Sequence, residues 1–109
     1  MLSEILVPVD GSKDSLRALD HGIHLAKKTD ASITLIQVTE EPPRVYMESQ
    51  KVFNDILANF RTESQNILEK CKQIASRSDV KVETVIGQGD AASQIVRYAH
   101  DGDFDTLIL

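Results

Sequence analysis

Ile5-Leu6-Val7-Pro8-Val9-Asp10-Gly11-Ser12-Lys13-Asp14 is the stretch that decides the fold. It opens as an almost unbroken apolar run and stops abruptly at Asp-Gly-Ser. Continuous rather than alternating hydrophobicity marks a strand buried on both faces, as in a parallel sheet. Pro8 has no N–H to donate, so a local irregularity is expected there. A helix follows at once. Ser12 can cap it, and Asp14 favours the positive end of its dipole. Leu16, Leu19, Ile23 and Ala26 recur at steps of three and four and so share one face. Lys27 and Lys28 suit the negative end.

Working outward, Ser32 to Val38 reads as a second strand, with Ile33, Leu35, Ile36 and Val38 apolar. Glu40-Glu41-Pro42-Pro43 breaks the chain and starts a loop. A long helical pattern then runs from about Glu48 to Arg77. Phe53, Leu57, Phe60, Ile67, Cys71 and Ile74 form its stripe, and Ser64 fills a gap in it. Such a helix is roughly 45 Å long, so its first part is expected to bend or project. Val80 to Ile86 reads as a third strand with a partly exposed face. Gly87-Gln88-Gly89-Asp90 turns the chain, and Asp90 caps a helix through Ala91, Ile95, Val96 and Ala99 that stops near Gly102. Thr106-Leu107-Ile108-Leu109 begins a fourth strand.

The order β-α-β-α-β-α-β, without repeats, predicts one α/β domain over residues 1–109. Its sheet should be parallel and doubly wound, Rossmann-like or flavodoxin-like, with helices on both faces. Ligands bind such sheets at the carboxyl ends of strands, where the strand order reverses. The turn Asp10-Gly11-Ser12 is therefore the first place to look for a site.

Composition narrows the function. The 109 residues are 41% hydrophobic and 27% charged, an ordinary globular balance. Twelve basic against seventeen acidic side chains give a net charge of -5. That argues against a nucleic-acid binder, which needs a basic face to displace counterions. It leaves room for one nucleotide, which backbone N–H groups can hold. Cys71 is the single cysteine, so no internal disulfide forms. The N-terminus lacks a signal-peptide pattern, and no apolar run approaches a bilayer's width. The expected location is the cytoplasm, with no membrane partner.

Three stretches, taken together, resemble the universal stress protein family. They are Ile5–Ser12 with its helix, Gly87-Gln88-Gly89-Asp90-Ala91-Ala92-Ser93-Gln94-Ile95, and Asp105-Thr106-Leu107-Ile108-Leu109. The resemblance spans the chain in the right order. It implies a doubly wound parallel sheet and, in the nucleotide-binding members, a site for ATP with Mg. It implies that Asp10 lies near the ribose and the metal-bound phosphates. Pro8 would then be in the pocket wall, and the backbone of Val38 would meet the adenine. The family's phosphate loop, G-x2-G-x9-G-[ST], follows the fourth strand, and the chain stops at Leu109 before it. The family's last helix and strand, which often builds the dimer, lie beyond that point too. The expectation is thus a regulatory or binding module in stress response, not a dedicated enzyme. Its family can bind ATP, but this chain lacks the phosphate loop. A nucleotide-free interaction scaffold is the alternative. With the fourth strand's edge open, the 109-residue form is expected to be a homo-oligomer (a dimer), marginally stable, or a fragment of a longer product.

Other motifs have plainer readings. Asp10 before Gly-Ser could contact a ligand or simply organise a turn, and Ser12 could cap a helix, bind phosphate, or do both. Asp10 to Ser15 approaches the S-G-G-x-D-S loop of PP-loop adenylating enzymes. Here Asp10 replaces a serine and Ser12 a glycine, so pyrophosphate would meet a repelling carboxylate. Gly87, Gly89 and Ala92 mimic a dinucleotide fingerprint, but after the wrong strand. His21 and His24 stand one helical turn apart without a third metal ligand. His100, Asp101, Asp103 and Asp105 read as a solvated helix end, and Cys71 as a core residue.

Overall fold

The computed structural model describes residues 4–39, 49–102, 104 and 106–108. The chain folds as β1 (Glu4–Pro8), α1 (Lys13–Thr29), β2 (Ser32–Thr39), α2 (Gln50–Ser76), β3 (Val82–Gln88), α3 (Ala91–Asp101) and β4 (Thr106–Leu107). The strands form one parallel sheet in the order β3-β2-β1-β4. The expected α/β class and parallel sheet are therefore present. The order steps outward from β1 to β3 and then returns to the other side of β1, so it reverses between β1 and β4.

Alternation along the strands sorts the helices onto two faces. Ile5, Val7 and Val9 of the first strand region pack with Ile33 and Leu35 of β2. Against them lie Leu19, Ile23 and Ala26 of α1 and Leu68, Cys71 and Ala75 of α2. The other face belongs to α3. A Cβ on Gly87 would stand 3.5 Å from Val38 Cγ2 and 3.6 Å from Gln94 Cβ of α3. The core is centred on β1 and β2, where Ile5, Leu6, Val7, Ile33 and Leu35 are wholly inaccessible to solvent. Each such side chain contributes about 1.5–3 kcal/mol by leaving water.

Pro8 resolves its irregularity by ending β1. It aligns with Ile36, and the next residue, Val9, donates its N–H to the Ile36 carbonyl at 2.9 Å. Successive residues of a strand direct their N–H groups to opposite sides. The donor that Pro8 lacks would thus face β4, whose strand ends at Leu107.

Three expectations need correction. The third strand is shifted by two residues, to Val82–Gln88, while its partly exposed face is as expected, with Ile86 41% accessible. It lies at the sheet's edge, where one side of each residue faces no strand. The buried stripe of α2 is Phe53, Leu57, Ser64, Leu68, Cys71 and Ala75. Phe60 is exposed, and Ile67 and Ile74 are only partly buried. The first turns of α2 do not project: Phe53 and Leu57 are buried within an unbroken helix of 27 residues. The Glu40–Pro43 break and Leu109 lie outside the described residues.

Candidate functional site

The turn after β1 is a closed hydrogen-bond circuit. Asp10 Oδ1 accepts from the Ser12 N–H at 2.8 Å. Ser12 Oγ accepts from the Ser15 N–H at 3.1 Å and so caps α1. Ser15 Oγ accepts the Asp10 N–H at 3.3 Å and donates to the Ser12 carbonyl at 3.1 Å. Gly11 makes the turn with φ of +83°, a conformation that costs only glycine nothing. The sequence left open whether Asp10 forms the turn or faces a ligand. In the structure it forms the turn and also lines a cleft.

This cleft, of about 620 Å³, opens over the carboxyl ends of β1 and β2. That is within the usual range of about 300–1,000 Å³ for small-molecule sites. Pro8, Asp10 and Val38 all line it, together with Ser12. Four parts of the fold build the lining. The turn after β1 supplies Asp10 and Ser12, and the end of β2 supplies Gln37 and Val38. One wall is Phe60, Ser64 and Ile67 of α2, and Ala91 and Ile95 of α3 close another side.

Sequence reasoning missed the α2 and α3 walls. Spacing alone puts Phe60 and Ile67 on the core stripe. They stand at its flank because the buried face of α2 turns toward Ser64 and Leu68. Ser64 itself is buried for a polar reason: Thr39 Oγ1 donates to Ser64 Oγ at 2.8 Å, tying the end of β2 to α2. Gln37 carries only a weak signal, since β2 also contains the polar residues Ser32, Thr34 and Thr39.

The electrostatics of the cleft are acidic. Asp10, Asp14 and Glu63 line it, with no lysine or arginine among the described lining residues. The side-chain and backbone hydrogen bonds from Ser12 hold the Asp10 carboxyl below the usual aspartate range, against a small opposing effect of burial. A carboxyl with a depressed folded-state pKa contributes stability above its unfolded value, about 3.9, and loses it as pH falls through the folded value. The advantage of wild type over Asp10→Asn should therefore hold at neutral pH, begin to shrink near about pH 4 and be gone once the pH is below the folded value. Paired thermal melts across that range check this. The effect should be small because the group is exposed to solvent.

The remaining candidates fall into place as local structure. Asp90 Oδ2 accepts from the Ser93 N–H at 3.0 Å and from the Ser93 hydroxyl at 2.8 Å, capping α3 and lowering the Asp90 pKa. The expected turn over Gly87–Asp90 needs correction: Gly87 and Gln88 end β3, paired with Val38 and Thr39, and the chain turns only at Gly89, which has φ of +120° and donates its N–H to the Thr39 carbonyl at 3.1 Å. His24 Nδ1 lies 2.8 Å from its own helix's Asp20 carbonyl. Among the described residues no group of three or more histidine, cysteine or acidic side chains is placed to hold a metal. Arg97 pairs with Asp101 at 3.6 Å, while Asp103 and Asp105 lie outside the described residues. Cys71 is 1% accessible. Burial raises its thiol pKa, partly offset by Lys70 and reinforced by Asp10.

Comparison with known proteins adds an independent line. The universal stress protein family model matches residues 1–109. A universal stress protein of Methanocaldococcus jannaschii is 31% identical over the whole of this chain, which spans 64% of that relative's length. Universal stress protein UspA of Lactobacillus plantarum superposes with a TM-score of 0.84 at 21% identity, covering 99% of this chain and 76% of that one. A universal stress protein solved in complex with cAMP gives 0.75 at 21% identity, covering 99% and 75%. A family member from Arabidopsis thaliana solved with AMP bound gives 0.73 at 19%, covering 96% and 74%.

Proposed function

Because this chain belongs to the universal stress protein family, we propose that its cleft binds an adenine nucleotide and that the domain serves as a regulatory binding module in stress response. The observation that carries the reading is the convergence of Pro8, Asp10 and Val38 on one cleft at the carboxyl ends of β1 and β2. Two proteins of the same fold were solved with cAMP and with AMP. A dedicated enzyme is a poorer fit. His21, His24 and His100 are exposed, whereas Cys71 is buried in the core.

The charge of the site bears on how a phosphate would be held. At the α1 N-terminus the Ser12 and Ser15 N–H groups are already engaged by Asp10 and Ser12. With Asp10, Asp14 and Glu63 lining the cleft, a bare triphosphate would be repelled. ATP accompanied by Mg suits this better, since the cation would neutralise the phosphates beside the Asp10 carboxylate. The buried free thiol of Cys71 is in keeping with a reducing compartment, the cytoplasm. Among the described residues, no helix is long and apolar enough to cross a membrane. A homodimer belongs to the same proposal, supported by the exposed Val52, Ile86 and Val96, and light scattering would test it.

The test of binding is a circular-dichroism melt with and without ATP, in Mg and again in EDTA. A ligand that binds only the folded state adds about 2.7 kcal/mol at a hundredfold excess over its Kd. The expected result is a cooperative melt that ATP raises in Mg and raises less in EDTA. A cooperative melt that neither condition moves would favour the second reading, a nucleotide-free interaction scaffold. The acidic lining of the cleft is the observation on that side.

A further inference from the structure

The outer edge of β3 has no strand beside it among the described residues. Its ladder with β2 shows which backbone groups that leaves open. Ile33 donates its N–H to the Lys81 carbonyl, and Gly89 donates its own to the Thr39 carbonyl. Along a strand every second residue turns both its N–H and its C=O to the same side. These two fixed points assign the groups of Glu83, Val85 and Gly87 to β2. Val82, Thr84 and Ile86 therefore turn three N–H and three C=O groups to the open side.

Sheet edges usually carry a device against pairing, such as a proline, a bulge, a run of charge or a covering element. The register of β3 with β2 runs unbroken from Val82 to Gln88, and the strand contains no proline. Glu83 is its only charge. Nor does α2 overhang it. Side chains alternate between faces, and Gly87 faces Gln94 of α3, so Val82, Thr84 and Ile86 lie on the α2 side. There Thr84 is exposed and Ile86 is one of the exposed large hydrophobics. The helix thus sits inward and leaves the edge clear.

A row of backbone donors and acceptors specifies an extended chain as its occupant, and this row is complementary to itself. In an antiparallel pair, facing residues exchange two hydrogen bonds at every second position. With a twofold axis at Thr84, that residue faces Thr84 of the second copy, and Val82 of each copy faces Ile86 of the other. All the open groups of Val82, Thr84 and Ile86 are then paired, in six bonds. The same register sets Val82 against the exposed Ile86, a cross-strand pair of the kind that stabilises sheets. On the other face Glu83 meets Val85, so no like charges stand directly opposite. The two Glu83 residues are diagonal neighbours, about 7–8 Å apart.

We propose that two copies of this chain pair antiparallel through the outer edge of β3, about a twofold axis at Thr84, joining two four-stranded sheets into one of eight strands. This rests on the homodimer reading above and names its surface.

The test is amide hydrogen exchange by NMR at rising protein concentration, with analytical ultracentrifugation of wild type, Thr84→Pro and Glu83→Gln. The amides of Val82, Thr84 and Ile86 should slow as dimer forms. Those of Glu83, Val85 and Gly87, already bonded to β2, should be protected throughout. Proline at position 84 removes an N–H that β2 does not use, so the fold should survive, and a thermal melt checks this. At the axis it removes two of the six bonds, so the dimer should weaken roughly ten- to hundredfold. Glu83→Gln removes the diagonal repulsion and should tighten the dimer, most visibly at low salt. If proline unfolds the chain, wild-type exchange and Glu83→Gln decide. A dimer whose Val82, Thr84 and Ile86 amides still exchange as in the monomer would overturn the β3 assignment and leave the homodimer reading standing. So would a dimer that neither substitution moves. A wild type that stays monomeric would sink both.

Discussion

Leu35→Ala is expected to lower the unfolding free energy by about 2–5 kcal/mol. Leu35 lies in β2, flanked by β1 and β3, and is fully inaccessible. Its partner across the ladder is Val7 on one side and Thr84 on the other. β1 is held on its other side by β4, and Leu35 is covered by core residues of α1 and α2, so the walls of the new cavity close in only partly. Small domains have only about 5–15 kcal/mol in total, and each kcal/mol lost moves Tm by about 4–8 °C at this size. The melting point should therefore fall by at least 8 °C or so, and a weakly stable domain would be unfolded at 37 °C. Urea denaturation at low temperature would measure the difference. A loss under 1 kcal/mol would mean that the core is not centred where the burial places it.

Gly22→Leu should be comparably damaging for the opposite reason. Gly22 lies inside α1, where glycine costs about 1 kcal/mol relative to alanine. It is buried because the helix presses closely on the sheet. A Cβ there would stand 3.0 Å from Val7 Cγ2 and 3.5 Å from Ile108 Cδ1. Leucine would add three more carbons in the direction of β1 and β4. Overpacking of this kind costs about 1–3 kcal/mol and more when backbone must shift. Gly22→Ala is the informative control. It gains helix propensity and needs Val7 to yield by only a few tenths of an ångström, so its net effect should be within about 1 kcal/mol of zero. Equal melts for Gly22→Leu and wild type would show that α1 has room to move off the sheet.

These contacts also show what a sequence can and cannot reveal. The strand-to-helix switch at Asp10-Gly11-Ser12 was legible because its signals are local. A continuous apolar run stops, a cap residue follows, and the period changes from strand to helix. The caps at Ser12 and Asp90 were legible for the same reason. The face of α2 was not. Its stripe admits two alignments, and only packing against β2 and β3 selects the one with Ser64 and Leu68 inside and Phe60 outside. The three cleft residues Pro8, Asp10 and Val38 came from family resemblance, and the geometry brings them together. The walls from α2 and α3 are separated from them by tens of residues. Gln37 is one of four polar residues of β2, with Ser32, Thr34 and Thr39, so its polarity does not single it out. Its place in the lining depends on which face of β2 it occupies, and that is not written in the local sequence.

The pairing of β1 has a consequence in time. Its two edges bind partners at very different distances along the chain. Ile5 meets Ile33 on one side and Thr106 on the other. A ribosome adds roughly 5–20 residues per second. The β2 edge of β1 can thus be satisfied within seconds of its synthesis. The β4 edge must wait for about a hundred more residues, roughly 5–20 s at that rate. Throughout that interval the nascent chain carries an open, apolar strand edge, the kind of surface that chaperones exist to shield. The contact that covers this edge is also the slowest to become available, since long-range parallel pairing is intrinsically late. Nascent chains stalled before Thr106 should accordingly be more protease-sensitive around β1 than released protein.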